Sequence, residues 1–321
     1  MTPEDQKKQI AKQKREAKRH ARMLSGLNDL ETWMIDILRQ GLAALESQPY
    51  SFWTSMASRM TDSQVKGADR IIKQMALIPA SQPNWPAKML EKMTQLYMLI
   101  KAFRRINDLP PELATDVKTF AGISIRKEDV LNGQKSSDNW LIIGVLESVE
   151  EDLKVRRTWL LGTSTGQMLQ IRDYAHGARE FTESYTFGAT LKGEIVFYPG
   201  SIPLRGIFSA PYDIIPFQTL PPGYRDFDQF LSKYSHSISQ SPWMRTFPFF
   251  LDNVFPVIND DQFFLVDQEN NIIPCLDHDL SSWKLLAFSG GHPCSVFGEW
   301  NGKALFPLSA HIDGRLVNLK I

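Results

Sequence analysis

The chain has 321 residues, 43% hydrophobic and 22% charged, with 36 basic side chains balanced by 36 acidic ones. That composition is globular, the length suits one large core or two of ordinary size, and the charge balance excludes a dedicated nucleic-acid coat. No apolar run approaches the roughly eighteen residues of a membrane span or sits behind a charged start as in a signal peptide, and the two cysteines, Cys275 and Cys294, exclude a disulfide framework, so a reducing cytoplasmic setting is expected.

The neutral total hides an asymmetry. Residues 1–22 carry Lys7, Lys8, Lys12, Lys14, Arg15, Lys18, Arg19 and Arg22 against Glu4, Asp5 and Glu16, a net of +5, and the rest of the chain carries −5. Thr2-Pro3-Glu4-Asp5 reads as a helix start, with a capping threonine, proline at the first helical position and acids facing the helix dipole. No apolar stripe appears until Met23 and Leu24, after which Leu27, Leu30, Trp33, Met34, Ile37 and Leu38 recur at helical spacing up to Gly41. A basic, solvated leader helix over 1–22 is expected, followed by a buried helix.

Further helical patterns occupy 50–60, 64–78, 86–106 and 111–120, punctuated by Pro79, Pro83 and Pro110-Pro111. Their Met-rich and aromatic faces fit ordinary bundle packing, with an adaptable peptide groove as the alternative. Near Asn132-Gly133 the pattern changes to short β-branched and aromatic runs. Strands are expected at 140–145, 155–161, 168–171, 193–198 and 204–208, a helix at 226–239, then strands at 262–266, 272–275, 295–300, 303–307 and 316–319. Asn301-Gly302 and Asp313-Gly314 carry the signature of type I′ hairpin turns. The expected fold is α+β: a leader at 1–22, a helical bundle at 23–131, and a mainly antiparallel β domain at 132–321 with one or two inserted helices.

Three patterns have chemical readings. Gly162-Thr163-Ser164-Thr165-Gly166 has the G-x-S-x-G form of a hydrolase nucleophile elbow, which needs a strand-to-helix turn. Here strand-like residues follow, so a hairpin loop is the structural reading. Cys275, His278, His292 and Cys294 offer the ligand types of tetrahedral zinc, although one residue between His292 and Cys294 is tight for a knuckle; two buried cysteines and two unrelated histidines are the alternative. Asp252, Asp260, Asp261, Asp267, Glu269, Asp277 and Asp279 lie in a stretch without Lys or Arg; they suit a cation or a basic segment, or the turn chemistry of Asp. Walker, dinucleotide-binding, H-E-x-x-H and C-x-x-C patterns are missing, no cofactor is called for, and a non-enzymatic role is expected.

Several blocks together carry a family resemblance. Arg39-Gln40-Gly41-Leu42-Ala43-Ala44-Leu45, Gln48-Pro49-Tyr50-Ser51-Phe52-Trp53 and Ala57-Ser58-Arg59-Met60-Thr61-Asp62-Ser63-Gln64 resemble the helical region after the zinc finger in bacterial SWIM zinc-finger proteins. Arg157-Thr158-Trp159-Leu160-Leu161-Gly162, Val196-Phe197-Tyr198-Pro199-Gly200, Gly290-Gly291-His292-Pro293 and Phe297-Gly298-Glu299-Trp300 extend it toward the C-terminus. The family's metal motif, C-x-C followed by C-x-H, lies upstream of the matched region, and neither Cys275 nor Cys294 belongs to it. The resemblance therefore implies the C-terminal region of such a protein, without its zinc. It further implies a protein-interaction or scaffold module acting with a MoxR-type AAA+ ATPase and von Willebrand factor A proteins. Nucleic-acid association through the eight leader cations is the alternative.

Overall fold

The computed structural model describes residues 3–79, 81–150, 153–177, 179–217, 219–276 and 280–320. The chain divides into two compact units, Met1–Ile125 and Arg126–Ile321. The division falls earlier than the residue 131/132 boundary read from the pattern change. A short helix at Lys127–Leu131 buries Val130 and packs on a strand of the second unit, so it belongs there.

In the first unit α1 (Pro3–Gln40) is one unbroken helix. The leader is thus not a separate element: the His20 ring stacks on Phe103 at 5.0 Å, so its last turn already packs into the bundle. From there Met23, Leu27, Leu30, Met34 and Ile37 form a buried stripe at spacings of three and four, each burial contributing about 1.5–3 kcal/mol. A 3-10 turn (Leu42–Ser47) leads to α2 (Tyr50–Asp62), α3 (Lys66–Met75), α4 (Trp85–Arg104) and α5 (Pro111–Ala121). Glu31 of α1 binds Lys101 and Arg104 of α4, and hydrogen bonding from Arg104 holds its carboxyl below the ordinary glutamate range. Helices α3 and α5 meet at Gly67, where a Cβ would lie 1.7 Å from the Phe120 carbonyl oxygen. Helix α5 ends as its sequence dictates: Gly122 takes the left-handed conformation at φ 104°, and the Ile123 amide bonds back to the Lys118 carbonyl.

The second unit opens with α6 (Lys127–Leu131) and holds two sheets. The first has the order β3-β2-β1-β4-β5, with β6 also on β4, and is antiparallel throughout: β1 (Lys135–Glu150), β2 (Leu153–Gly162), β3 (Met168–His176), β4 (Thr190–Phe197), β5 (Gly206–Phe208) and β6 (Asp213–Ile215). Period-two alternation sends Trp140, Ile142, Leu160 and Leu169 to one face, where Phe208 and Tyr212 cover them. Leu141, Ile143, Trp159 and Leu161 go to the other, packing on Phe250, Phe297 and Leu308 of the second sheet.

That second sheet follows α7 (Phe227–Gln240) and comprises β7 (Phe247–Asn259), β8 (Gln262–Val266), β9 (Ile272–Cys275), β10 (Cys294–Trp300), β11 (Leu305–Ile312) and β12 (Arg315–Asn318), with α8 (Ser281–Ser289) between β9 and β10. Its order is β10-β7-β8-β9-β11-β12, and β11 also pairs with β10, so five strands return on themselves. Closure leaves an interior filled by Phe249, Leu251, Leu265, Val296 and Leu305, with Phe227 and Phe230 of α7 packed into it.

Of the two expected type I′ turns, one differs from its sequence reading. Asp313 and Gly314 both take positive φ, as a type I′ turn requires, but at Asn301-Gly302 only the glycine does. There the Asn301 side chain accepts from the Lys303 and Ala304 amides, forming a longer Asx-turned loop. Asp260 and Asp261, both at positive φ, make the second I′-like turn instead.

Candidate functional site

The leader cations lie on the first half of α1. From residue 5 to 18 every side chain described is exposed, Lys7, Lys12, Lys14, Arg15 and Lys18 among them; for Lys8 only the backbone is described. Arg19 is half-buried, with its Nε enclosed and unpartnered, and Arg22 is exposed. The helix therefore ends in several turns of charged surface with no apolar face of their own, carried rigidly by the buried stripe that begins at Met23.

The G-x-S-x-G segment is the loop of the β2–β3 hairpin. Its organiser is Asp138 of β1, 7% exposed, whose carboxylate accepts from the Ser164 amide (3.1 Å), the Thr165 amide (3.0 Å), the Thr165 hydroxyl (2.7 Å) and the Asn139 amide (2.7 Å). Burial alone would raise its pKa; these hydrogen bonds, led by Thr165, outweigh it and bring the carboxyl below the ordinary aspartate value. Gly162 is required because a Cβ would sit 2.5 Å from the Asp138 carboxylate. Ser164 follows a strand and precedes a strand, and it has no elbow geometry.

Of the four zinc-type residues, His278 lies outside the described residues. Cys275 is half-buried on β9, while Cys294 is 5% exposed on β10, where its thiol faces the Val254 carbonyl and burial pushes its pKa up to about 12. His292 is exposed at the turn after α8. Among the described residues no three His, Cys, Asp or Glu side chains cluster as a metal set.

The acidic stretch does turn work. Asp267, 2% exposed, accepts from the amides of Phe227, Glu269 and Asn271 and from the Asn271 side chain, tying the start of α7 to the β8–β9 turn. Asp252 accepts from the Gly223 amide at 2.7 Å. Asp277 and Asp279 lie outside the described residues.

A polar cluster that the sequence reading missed sits beside the junction of the two sheets. Glu299, 4% exposed on β10, accepts from the Trp159 indole at 2.7 Å and pairs with Arg157 at 3.3 Å. The β2–β3 register sets Arg157 opposite Arg172 and Trp159 opposite Gln170, and the backbones of Gln170 and Arg205 form an isolated parallel bridge. The signal was available: a hairpin looped at 162–166 pairs residue 161 with 168, and counting back brings Arg157 to Arg172. An open cleft of about 520 Å³ runs nearby, lined by Leu161, Met168, Leu204, Tyr224, Lys233 and Phe250.

The architecture so far is that of an α+β protein whose first unit is a bundle of helices. Comparison with known families assigns that unit: residues 18–121 match the family model of the SWIM-associated four-helix bundle domain. The match runs from Lys18 within α1 to Ala121 at the end of α5, so the chain carries a SWIM-associated domain, as the resemblance implied. No curated protein and no solved structure matches the chain. Among the described residues no helix is long and apolar enough to cross a membrane.

Proposed function

We propose that the chain is a protein-interaction module, a scaffold in which the SWIM-associated bundle presents the basic half of α1 to an acidic partner. The observation that carries this reading is the continuity of α1: one helix is anchored through Met23 to Ile37 and extends an exposed basic segment ahead of that anchor. A preformed helix loses little conformational entropy on docking, and interspersed Glu4, Asp5 and Glu16 give its charge a pattern as well as a sign. The partner class that the resemblance implies is a MoxR-type AAA+ ATPase or a von Willebrand factor A protein.

The same exposed cations support a second reading, contact with nucleic-acid phosphates. A net of +5 and the lack of aromatics in residues 1–22 limit that contact to weak, stacking-free binding. Affinity purification of the tagged chain from its own host, with nuclease treatment, separates the two. A stoichiometric protein partner surviving nuclease supports the scaffold; nuclease-sensitive material alone makes nucleic acid the partner.

A further inference from the structure

Strand pairing sets Arg157 opposite Arg172 and Arg205 opposite Gln170 on the first sheet, and among the described residues Glu299 is the carboxylate paired with this group, through Arg157. Arg172 is pushed below the ordinary arginine range, first by desolvation and then by the Arg205 and Arg157 guanidiniums, with Tyr174 and Glu299 opposing. Arg172 is exposed overall, and its Nε donates to the Gln170 Oε1 at 2.5 Å. Glu299 is committed to Arg157 and the Trp159 indole, and Arg205 lies over the Tyr198 ring at 4.1 Å, a contact that leaves the guanidinium edge free to donate.

A second, independent observation points to a missing acceptor. Gln170 is 3% exposed; its Oε1 accepts from the Arg172 Nε, and its Nε2 is buried with no hydrogen-bond partner. The amide orientation is chemically forced, because the reverse would set an amide donor against a guanidinium donor. The Arg157 and Arg205 Nε atoms are likewise buried and unpartnered. Three enclosed N–H donors without acceptors, beside three cations and one carboxylate, are costly unless something supplies acceptor oxygens and negative charge. Among the described residues Glu299 reaches Arg157 alone, and the three N–H groups stay without an acceptor.

We propose that this cluster is a binding site for an oxyanion, the phosphate or carboxylate group of a ligand, held by Arg172, Arg205, Arg157 and the Gln170 amide. Arginine forks match the oxygens of either group in plane and spacing. The residues that form it all belong to the second unit.

The test is a titration of the full chain with inorganic phosphate, and separately with acetate, at constant ionic strength, followed through the arginine Nε–Hε resonances and by thermal melting. Saturable shifts of the Arg157 and Arg205 signals are expected, with a rise in melting temperature of roughly 3–6 °C per tenfold of anion above its dissociation constant. Whichever anion binds more tightly identifies the group. Arg172→Gln, at an exposed position, is expected to weaken binding at least tenfold. Gln170→Glu fills the site with its own carboxylate, so it is expected to abolish the titration while raising the melting temperature of the anion-free protein. No saturable shift with either anion, or binding unchanged in both variants, would overturn the proposal.

Discussion

Replacing Asp138 tests whether one carboxylate organises the β2–β3 loop. The Asp138→Ala change strands the amides of Ser164 and Thr165 and the Thr165 hydroxyl, all now bound to the carboxylate within 3.1 Å. Hydrogen bonds to a charged group contribute about 1.5–3 kcal/mol each, and these three, which share the carboxylate with the Asn139 amide, are not additive. A loss of about 3 kcal/mol is expected, or roughly 6–12 °C in melting temperature for a unit of this size. Asp138→Asn keeps the shape and one acceptor oxygen, and is expected to cost about 1–2 kcal/mol. The pH dependence has a definite sign. The folded carboxyl titrates below its ordinary 3.8, so its contribution is complete above that pH and disappears as pH falls through the lower folded value. Urea unfolding of wild type and both variants at neutral pH, repeated in acid, measures this. An Asp138→Asn variant within about 0.5 kcal/mol of wild type at neutral pH would show that the carboxylate does not organise the loop, as would a difference that does not shrink in acid.

Other consequences follow from the same geometry. Ser164→Ala is expected to cost less than about 1 kcal/mol, because the loop uses chiefly the Ser164 backbone amide, and to leave any activity detected in the protein unaltered; loss of a hydrolytic activity on this change would restore the elbow reading. Gly67→Ala is expected to destabilise the helical unit by more than about 3 kcal/mol, since the new methyl meets a carbonyl oxygen rather than a movable side chain, and circular dichroism melting reads it directly. Glu299→Ala strips the Trp159 indole and Arg157 of their shared acceptor and is expected to cost about 3–5 kcal/mol in the second unit, seen as a lower urea midpoint and a shift in tryptophan fluorescence. Cys294, with its thiol at about 12 and buried, is expected to resist alkylation at pH 8 until the protein unfolds; native labelling of Cys294 as fast as a free thiol would contradict the packing of β10 against β7.

What was legible in the sequence was the local chemistry. Helix α7 announces itself by Asp226 and Gln229: the Asp226 side chain accepts from the Gln229 amide and the Gln229 side chain from the Arg225 amide, so the expected start is found. The α5 stop at Gly122 and the Asp313-Gly314 turn are of the same kind. Strand β7 was missed because Pro248, Asp252, Asn253 and Pro256 interrupt its apolar run. The sheet absorbs them by a register shift against β10, with Asn253 at φ 53°. Helix α8 was missed since nine residues leave little room for a period to show. The candidate sites divide in the same way. The exposed cations of α1 could be read directly, whereas the Asp138 clamp and the arginine cluster join residues from separate strands and depend on register.

Charge reversal at Lys7, Lys12, Lys14 and Lys18, four exposed positions outside the buried stripe, asks whether α1 carries the contact surface. Wild type and the reversed chain would be purified from the native host under nuclease treatment and the stoichiometry of bound protein compared, with melting curves confirming equal stability. A stoichiometric partner on the wild type and its loss on reversal are expected. A partner retained by the reversed chain, or none on either, would contradict a contact surface on α1.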